Sequence, residues 1–347
     1  MSHLKLRAEV LLGHFNLITL FNMLFSVITP TWNRAAYLPR VFESLLIQTC
    51  HDFEWIISDD GSTDATHSFV LQASLKTSFK IIYIHSSHHV GKPTVDNRAI
   101  QVASGMLCIW CDSDDWLVPY ALEVLKAKWL GLSDSDRNKY AGMTALAATC
   151  NGATVDPSLF EGISTISWND LILNKKVKHD MVFCSRTELL KQYPFPEVDL
   201  YVPESSVWAQ IGDKPSKYVG EVLLMKEYLC QDSISFVPLM KYNRGYAYSL
   251  AITSGLLSSA RPSLLVKFLN LVKFLRYSIN GELTTRQALN MWPSRNFFIE
   301  ALALPASIIL SYRDRLLGKV VLTHKEFIKN RYAASFQIKY FLPTQHT

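Results

Sequence analysis

The sequence predicts an α/β fold: a mostly parallel β-sheet with helices on both faces, followed by a helical C-terminal region. Short apolar runs alternate with segments of helical period through the first 130 residues, and such alternation is typical of βαβ units. Hydrophobic residues make up 49% of the 347-residue chain and aromatic residues 12%, which is ample for a large core. We therefore expect a folded protein rather than a disordered one.

The predicted elements follow one another regularly along this stretch. The strands are residues 24–28, 53–58, 80–84 and 106–111, and the helices are residues 39–47, 64–75 and 94–103. In sheets of this kind, ligands bind beyond the carboxyl ends of the strands. The residues that directly follow each strand are therefore the candidates for chemistry.

Three polar clusters follow the first, second and fourth strands. They are Thr29-Pro30-Thr31-Trp32-Asn33-Arg34, Asp59-Asp60-Gly61-Ser62-Thr63-Asp64 and Asp112-Ser113-Asp114-Asp115. Ser62 and Asp64 are good caps for the helix that runs to Leu75. Turn and cap chemistry does not account for the other five carboxylates at this edge, because uncompensated carboxylates repel one another and are costly to desolvate. These five are Asp59, Asp60, Asp112, Asp114 and Asp115. We expect a cation and a ligand with donor groups as their partners.

Asp112 and Asp114 are candidate metal ligands. Strand alternation places both carboxylates on one side and Ser113 on the other. Two hard oxygen ligands favour Mg²⁺ or Mn²⁺ over zinc. Such an ion would bridge to a diphosphate and neutralise charge on the leaving nucleotide.

Lys92 is a candidate phosphate ligand. It follows Gly91 at the start of the third predicted helix, where the backbone can approach a ligand closely and the helix end is positive. The alternative is a solvated surface lysine, which is common in proteins.

Residues 24–130 resemble the nucleotide-sugar-binding half of the family 2 glycosyltransferases, which have the GT-A (Rossmann-like) fold and include enzymes of bacterial capsular, exopolysaccharide and lipopolysaccharide assembly. The resemblance rests on about a third of the chain: Ser26 through Arg34, Ser58 through Asp64, Gly91-Lys92 with Asn97 and Ala103-Ser104-Gly105, and Cys111 through Trp116. It implies that the nucleobase and ribose of a nucleotide-sugar are held by Thr29, Pro30, Thr31, Asn33, Asp59 and Asp60. It further implies donor contacts from Lys92, Asn97, Asp112 and Ser113, with Asp114 as the more direct metal ligand.

The resemblance also implies an inverting transfer in which a carboxylate removes the acceptor proton. The corresponding segment, residues 195–208, places Glu204 before an apolar helix, with Ser205 where the family has a second acid. We predict Glu204 as the base, with Glu197 and Asp199 as reserves. The alternative for Glu204 is a charge that serves only the helix dipole.

We expect four segments: an N-terminal extension (1–22), a nucleotide-sugar-binding half (23–130), an acceptor-binding half (131–250) and a basic amphipathic helical region (251–347). Residues 10–28 are largely apolar, so a signal peptide or anchor is an alternative for the first segment; His14, Asn16 and Asn22 interrupt the run, and Met23 is an alternative start. Six scattered cysteines indicate free thiols in a reducing cytosol.

The C-terminal region is basic, with thirteen Lys and Arg against four Asp and Glu from Arg261 onward. Residues 264–277 and 297–317 are amphipathic, and Pro305 and Arg313 interrupt the longest apolar run. These segments favour peripheral contact with the inner membrane surface; a helical tail that packs on the catalytic domain is the alternative. The expected location is therefore the cytoplasm, and the expected acceptor is a saccharide or a lipid-linked saccharide.

Other classes of protein fit less well. A net charge of +5 spread along the chain is too weak for nucleic-acid binding. A sugar nucleotidyltransferase or an NAD-dependent oxidoreductase would need a Gly-rich loop after the first strand, and Thr29-Pro30-Thr31-Trp32 contains no glycine. Because Ser205 stands where the family has an acid, a non-catalytic relative that binds nucleotide-sugars remains an alternative.

Overall fold

The computed structural model describes residues 23–173, 177, 180–212, 214–227, 240–256, 263–293 and 296–343. The predicted N-terminal extension lies outside this part of the chain. The first half alternates strands β1 (Met23–Thr31), β2 (Phe53–Asp59), β3 (Lys80–Ser86) and β4 (Gly105–Trp110) with helices α1 (Leu38–Leu46), α2 (Thr66–Ser74) and α3 (Lys92–Val102). All seven predicted elements of this stretch are present, with ends within three residues of the prediction.

The second half adds shorter strands and helices. In chain order they are β5 (Trp116–Leu117), α4 (Ala121–Leu130), α5 (Asp134–Arg137), β6 (Gly142–Thr149), a 3-10 helix (Pro157–Phe160), β7 (Thr165–Ile166), α6 (Trp168–Leu173), β8 (Met181–Arg186), α7 (Thr187–Gln192), α8 (Ser205–Ile211) and β9 (Ser216–Lys226). The C-terminal region contains α9 (Asn243–Leu256), α10 (Leu264–Asn280), α11 (Thr285–Met291), α12 (Phe297–Leu316), α13 (Thr323–Ala333) and β10 (Phe336–Phe341).

One mixed sheet joins ten strands, in the order β10-β3-β2-β1-β4-β8-β6-β9-β5, with β7 paired to β9. Strands β3, β2, β1 and β4 are parallel to one another, so their carboxyl ends share one edge. The register pairs Thr31 with Asp59 at that edge. The predicted parallel block is therefore confirmed where it carries the candidate site, and antiparallel strands extend it on both sides.

Helices cover both faces of the sheet, as predicted. Side chains alternate between two cores because successive residues of a strand point to opposite faces. Val27 and Trp55 pack with α1, α2 and α4, whereas Ile28 and Ile56 pack with α3, α7 and α8. The core of the first face also contains residues of β6, β8 and β9, so the two predicted halves share one hydrophobic core.

The C-terminal region forms its own core of residues from α9 to α12. Buried Asp314 of α12 receives a bidentate ion pair from Arg276 of α10, with N···O distances of 2.5 and 2.6 Å. Helix α12 continues through Pro305 and coincides closely with the predicted segment 297–317. The sequence also gave no indication that β10 returns to pair with β3 at the sheet edge; the C-terminal region is therefore not wholly helical.

Candidate active site

Thr29 and Thr31 of β1 have different environments, although both were predicted to bind the donor. The hydroxyl of Thr29 donates to the carbonyl of Cys111 at 2.7 Å and accepts from Trp55 Nε1 at 2.9 Å. The structure therefore places Thr29 in the core, and its predicted donor contact is not supported. The hydroxyl of Thr31 is buried and has no hydrogen-bond partner in the part of the chain that the structure describes. Thr31 lies at the strand end, where a ligand oxygen could satisfy it.

Asp59 and Asp60 organise the loops at the ends of β1, β2 and β3. Asp59 accepts hydrogen bonds from Tyr83 Oη at 2.5 Å and from the backbone N–H of Ser62 at 2.9 Å. Ser62 in turn accepts from the N–H of Asn33 at 2.8 Å, so it ties two loops together and does not cap α2 as expected. Asp64 accepts from the N–H of Thr66 at 3.0 Å, close to its predicted capping role.

Asp60 is buried and faces the loop that precedes α3. It accepts hydrogen bonds from the N–H groups of Val90 and Gly91, at 2.6 and 2.8 Å, and lies 2.9 Å from His89 Nδ1. Burial raises its pKa, while His89 and the two N–H groups oppose that shift. Gly91 has φ +90°, and a Cβ there would lie 2.4 Å from the backbone of Leu200. This close approach requires glycine and brings the 199–204 segment against the start of α3.

Lys92 is half-buried, with 15% of its side-chain surface exposed, and its ammonium contacts three carboxylates. These contacts exclude the alternative of a solvated surface lysine. The ammonium of Lys92 lies 3.0 Å from Glu204 Oε1, 3.1 Å from Asp96 Oδ2 and 3.5 Å from Asp112 Oδ1. Burial opposes the charge, but Asp112, Asp96 and Glu204 together raise the pKa of Lys92 well above its ordinary value. Lys92 is therefore a fixed cation between the predicted base and the predicted metal ligands.

The acidic cluster after β4 is a turn and not a strand, so the expected strand alternation is wrong. β4 ends at Trp110, and the N–H of Asp115 donates to the carbonyl of Asp112 at 2.9 Å. Ser113 in this turn is buried. The turn directs Asp112 toward Lys92 at 3.5 Å and Asp114 toward Arg34 at 3.6 Å. Burial first, and then the charge of Asp112, raises the pKa of Asp114.

Asp115, which was not predicted as a site residue, is paired with Lys226 of β9 at 3.4 Å. Burial raises the pKa of Asp115 to about 8, with a further contribution from Asp112 and against the effect of Lys226. Lys226 also lies 3.1 Å from Asp180. No local sequence signal indicates this ion pair, because Lys226 lies on a distant strand of the second half.

Arg40 of α1 supports the same turn and was also missed. Its NH2 group donates to the carbonyl of Asp114 at 2.6 Å, and its NH1 group lies 3.1 Å from Glu227. The guanidinium lies 4.3 Å from the ring centroid of Trp116, within the range of a cation–π contact. Arg34, by contrast, belongs to the motif after β1, so the sequence could have indicated it.

The five clustered aspartates are therefore not uncompensated, and that premise of the sequence argument is wrong. Each has a donor or a cation in the protein: Tyr83 for Asp59, loop N–H groups for Asp60, Lys92 for Asp112, Arg34 for Asp114 and Lys226 for Asp115. Acids still outnumber bases around the turn. Among the residues that the structure describes, four basic side chains (Arg34, Arg40, Lys92, Lys226) face seven acidic ones (Asp96, Asp112, Asp114, Asp115, Asp180, Glu204, Glu227).

Glu204 lies directly before α8, as predicted, but its carboxylate makes no capping hydrogen bond to that helix. It contacts Lys92 instead, and its side chain keeps 40% of its surface exposed. The contact disfavours the alternative of a charge that serves only the helix dipole. This carboxylate is partly exposed beside a half-buried cation, so a ligand hydroxyl could reach it.

The reserve acids and Asn97 form the frame of the site. Both ends of the Asn97 amide bond to the backbone of Phe195, at 2.9 Å each, and its Nδ2 also donates to Glu197 at 2.9 Å. Its predicted donor contact is therefore not supported. Glu197 is further held by Arg331 of α13 at 3.1 Å. Asp199 is fully buried and accepts from the Thr323 hydroxyl at 2.6 Å.

An aromatic platform lies at the end of β1 and was not predicted. Trp32 stacks on His89 with ring centroids 3.8 Å apart and an interplanar angle of 9°. His89 is held by Asp60, while 47% of the surface of Trp32 is exposed. The indole thus presents a flat apolar surface beside Asn33, whose Oδ1 accepts from the N–H of Thr63 at 2.8 Å.

Comparison with known proteins covers this same stretch. Residues 26–134 match the model of the family described as glycosyl transferase family 2. The match contains the strand ends, the start of α3 and the turn of residues 112–115. Residues 26–134 are thus similar to the family 2 glycosyltransferases, and we name this stretch the family 2 domain.

Two curated relatives of this chain are named as sugar transferases. The chain is 27% identical over 212 residues to the GalNAc(5)-diNAcBac-PP-undecaprenol beta-1,3-glucosyltransferase of Campylobacter jejuni, which is 60% of this chain and 66% of that protein. It is 36% identical over 94 residues to a PGL/p-HBAD biosynthesis glycosyltransferase of Mycobacterium bovis, which is 27% of this chain and 36% of that protein. The chain thus spans less than two thirds of the length of each.

The similarity in three dimensions extends beyond the family 2 domain. The structure of TarS 1-349 from S. aureus, in complex with UDP-GlcNAc, superposes with a TM-score of 0.55 and 19% sequence identity. The superposition covers 89% of this chain and 88% of TarS 1-349. The predicted GT-A fold with a helical C-terminal region is confirmed.

A separate cavity of about 430 Å³ lies between the loop before α8 and helices α9 and α13. It is lined by residues of α9, α13 and the loop before α8: Glu197, Val198, Arg244, Tyr248, Phe327, Ile328, Arg331 and Tyr332. None of the strand-end carboxylates lines it, so it is distinct from the candidate donor site.

Proposed function

We propose that this protein is an inverting glycosyltransferase that moves a sugar from a nucleotide-diphosphate-sugar, most simply a UDP-sugar, to an acceptor hydroxyl. The observation that carries the proposal is the position of Lys92, which contacts both Asp112 and Glu204. One cation thereby joins the acidic turn to a partly exposed carboxylate, at the strand edge where ligands of such sheets bind.

The nucleoside of the donor is proposed to lie over the ends of β1 and β2. The unsatisfied hydroxyl of Thr31 and the exposed indole of Trp32 support this position, since one offers a hydrogen bond and the other a stacking surface. Asp59, Asp60 and Asn33 hold the loops in place through their hydrogen bonds. TarS 1-349, which shares the fold, was solved with UDP-GlcNAc.

A divalent cation fits the acidic turn. Asp112 Oδ1 is buried, and its contact with Lys92 Nζ is long, at 3.5 Å, with no closer hydrogen-bond partner among the residues described; acids also outnumber bases around it. Within the described ranges no group of three or more His, Cys, Asp or Glu side chains could hold a metal. Asp114 and Asp112 would therefore supply only part of the ligand set of Mg²⁺ or Mn²⁺, with diphosphate oxygens and water as the rest. Such an ion would neutralise charge on the leaving nucleotide.

Glu204 is proposed as the general base. Its carboxylate takes the proton of the acceptor hydroxyl, the acceptor oxygen bonds to the anomeric carbon, and the bond from that carbon to the diphosphate oxygen breaks with its electron pair on the diphosphate. Lys92 orients Glu204 through the 3.0 Å contact and adds positive charge near the departing diphosphate.

The acceptor is proposed to be a saccharide or a lipid-linked saccharide of a cell-surface polysaccharide or glycolipid. The name of the Campylobacter relative, which includes an undecaprenol carrier, supports a lipid-linked acceptor. With that acceptor, the protein would work at the cytoplasmic face of the membrane. The proposal includes three functional segments of the chain: residues 23–130 bind the donor, residues 131–250 bind the acceptor, and residues 251–347 form the basic helical region.

The test is a screen of nucleotide-sugars for metal-dependent thermal stabilisation, followed by transfer assays with the donor that binds. We expect one nucleotide-sugar to raise the melting temperature only when Mg²⁺ or Mn²⁺ is present. Binding without hydrolysis or transfer to any acceptor would instead indicate the non-catalytic relative. Stabilisation by no nucleotide-sugar would overturn the proposal.

A further inference from the structure

Helix α12 fully buries only small and polar side chains. Ile299, Leu304 and Leu310 pack partly against the same core, and the other large apolar side chains of α12 are exposed. The buried residues are Ala303, Ser307, Ser311 and Asp314, whose spacing of three and four places them on one face. That face packs on α10, where the Ser307 hydroxyl contacts the carbonyl of Val272 at 3.2 Å. An ordinary surface helix shows the opposite arrangement.

The outer face of α12 is apolar along its whole length. The exposed fractions are 79% for Phe297, 80% for Phe298, 70% for Leu302, 68% for Ile309 and 69% for Leu316, with Ile308, Tyr312 and Leu317 also exposed. Contiguous exposed apolar surface of this extent is rare on soluble monomers and marks an interaction site.

Helix α10 extends this surface at one end. Val272 contacts Ser307, and the carbonyl of Ile279 accepts from Arg315 at 3.0 Å, so the two helices run in the same direction. Their N-terminal turns therefore lie at the same end. The first turns of α10 expose Leu264, Leu265, Val266 and Leu269. We name the exposed apolar residues of α10 and α12 together the apolar face.

Basic side chains accompany the apolar face. The exposed charged residues of α10, α12 and the three residues after α12 are Lys267, Lys273, Arg313, Arg315 and Lys319. The acid of α12 nearest to Arg313, Asp314, is buried and paired with Arg276. An apolar surface flanked by positive charge is complementary to a bilayer with anionic headgroups, where it can insert at the interface.

We propose that the apolar face docks on the surface of an anionic lipid bilayer. None of the helices in the described ranges is long and apolar enough to cross a membrane, so the contact is with the interface. The inference rests on the proposed function in one respect: docking would bring a lipid-linked acceptor to the candidate active site. The docking itself follows from the surface and is tested without any substrate.

The experiment is flotation of the full chain with vesicles of phosphatidylcholine alone or mixed with phosphatidylglycerol. We expect binding to the mixed vesicles that weakens as salt is raised. Phe297→Ser combined with Phe298→Ser should lower the partition coefficient more than about tenfold, because two aromatic side chains no longer insert. Both residues are at least 79% exposed, so folding should be unaffected.

Leu302→Ser and Leu75→Ser form a matched pair, since the two leucines are 70% and 71% exposed and only Leu302 belongs to the apolar face. The first variant should weaken vesicle binding and the second should not. Equal effects of the two, or binding to neither vesicle, would overturn the proposal. A dimer in solution that Phe298→Ser dissociates would show that a second copy covers the face, which would also overturn it.

Transfer to a short water-soluble acceptor, measured without vesicles, separates the two proposals. The apolar-face variants should keep this activity. If the wild-type protein transferred no sugar to this acceptor, the proposed function would be contradicted, and the flotation result would still stand.

Discussion

The ammonium of Lys92 lies 3.0 Å from the carboxylate of Glu204, although 112 residues separate them in the chain. The same ammonium lies 3.5 Å from Asp112. Lys92 therefore links the group proposed to accept the proton with the turn proposed to bind the diphosphate. Its replacement should affect both donor binding and transfer.

Lys92→Gln should lower transfer by more than about a hundredfold, because the diphosphate loses a fixed cation. It also leaves Asp96, Asp112 and Glu204 facing one another, so the free energy of unfolding should fall by about 3 kcal/mol. Lys92→Arg, which keeps the charge, should retain part of the transfer activity and part of the stability. Steady-state kinetics and urea unfolding measure the two effects. Wild-type donor affinity in Lys92→Gln would refute the assignment.

Asp114→Asn should abolish metal-dependent donor binding. The substitution removes a hard anionic oxygen and leaves the shape of the turn, because the carbonyl of Asp114 still accepts from Arg40. Titration calorimetry with Mn²⁺ and the donor measures the loss. Asp180→Asn, which changes the partner of Lys226 outside the turn, is the control. Unchanged Mn²⁺ dependence in Asp114→Asn would show that this carboxylate is not a ligand.

Glu204→Gln should spare donor binding and lower transfer by about a hundredfold to ten-thousandfold, the contribution of a positioned base. The amide keeps the size of the side chain but cannot take a proton at neutral pH. Glu197→Gln, in the frame held by Asn97 and Arg331, should keep transfer. Full transfer by Glu204→Gln would show that another group is the base.

Thr29→Val and Thr31→Val should have opposite effects. The first leaves Trp55 Nε1 and the carbonyl of Cys111 without their partner, so stability should fall by about 1–3 kcal/mol while donor affinity is kept. The second removes a buried hydroxyl without a described partner, so stability should be kept while donor affinity falls by about tenfold. Thermal unfolding and donor titration on the same samples compare them. Loss of donor affinity in Thr29→Val alone would reverse the two assignments.

Asp199 should make stability depend on pH. Burial raises its pKa to about 6 from the ordinary value of 3.8, although Thr323 and backbone N–H groups oppose this. A raised pKa means that the folded state binds the proton more tightly. The resulting stabilisation is present below about pH 4 and is lost, by about 3 kcal/mol, as pH rises through 6.

Asp199→Asn, which resembles the protonated acid, should therefore gain stability relative to the wild type between pH 4 and 7. Urea unfolding across this range measures the difference. Asp134→Asn, at a side chain that is 92% exposed, is the matched control and should follow the wild type. If the free energies of unfolding of Asp199→Asn and the wild type differed by a constant amount across this pH range, the raised pKa of Asp199 would be contradicted.

The strand and helix pattern of residues 23–110 could be predicted because hydrophobic period and turn chemistry are local signals. The acidic turn was found for the same reason, but its conformation was not. Alternation would have continued β4 through Asp112, whereas the chain leaves the sheet at Trp110 and closes a turn at Asp115. A run of polar residues after a strand does not specify where pairing stops.

The predictions failed mainly in the contacts that they assigned to individual side chains. Thr29 and Thr31 are two residues apart on one strand, and only the packing of Trp55 and Cys111 distinguishes them. Asn97 matched a motif, yet its amide is fully used by Phe195 and Glu197. The roles of Lys226 and Arg40 could not be predicted from the local sequence, because their contacts with the acidic turn join elements that are far apart in the chain.

The sequence by itself determined the alternation of strands and helices, the shared edge of the parallel strands, and the acids that end them. These features follow from periodicity and from the short range of turn chemistry. Only the tertiary structure decided which acid meets which cation, and that α12 turns its apolar side outward. Both depend on contacts between residues distant in the chain, and the free energy of such a contact is set by burial and geometry that no local stretch contains.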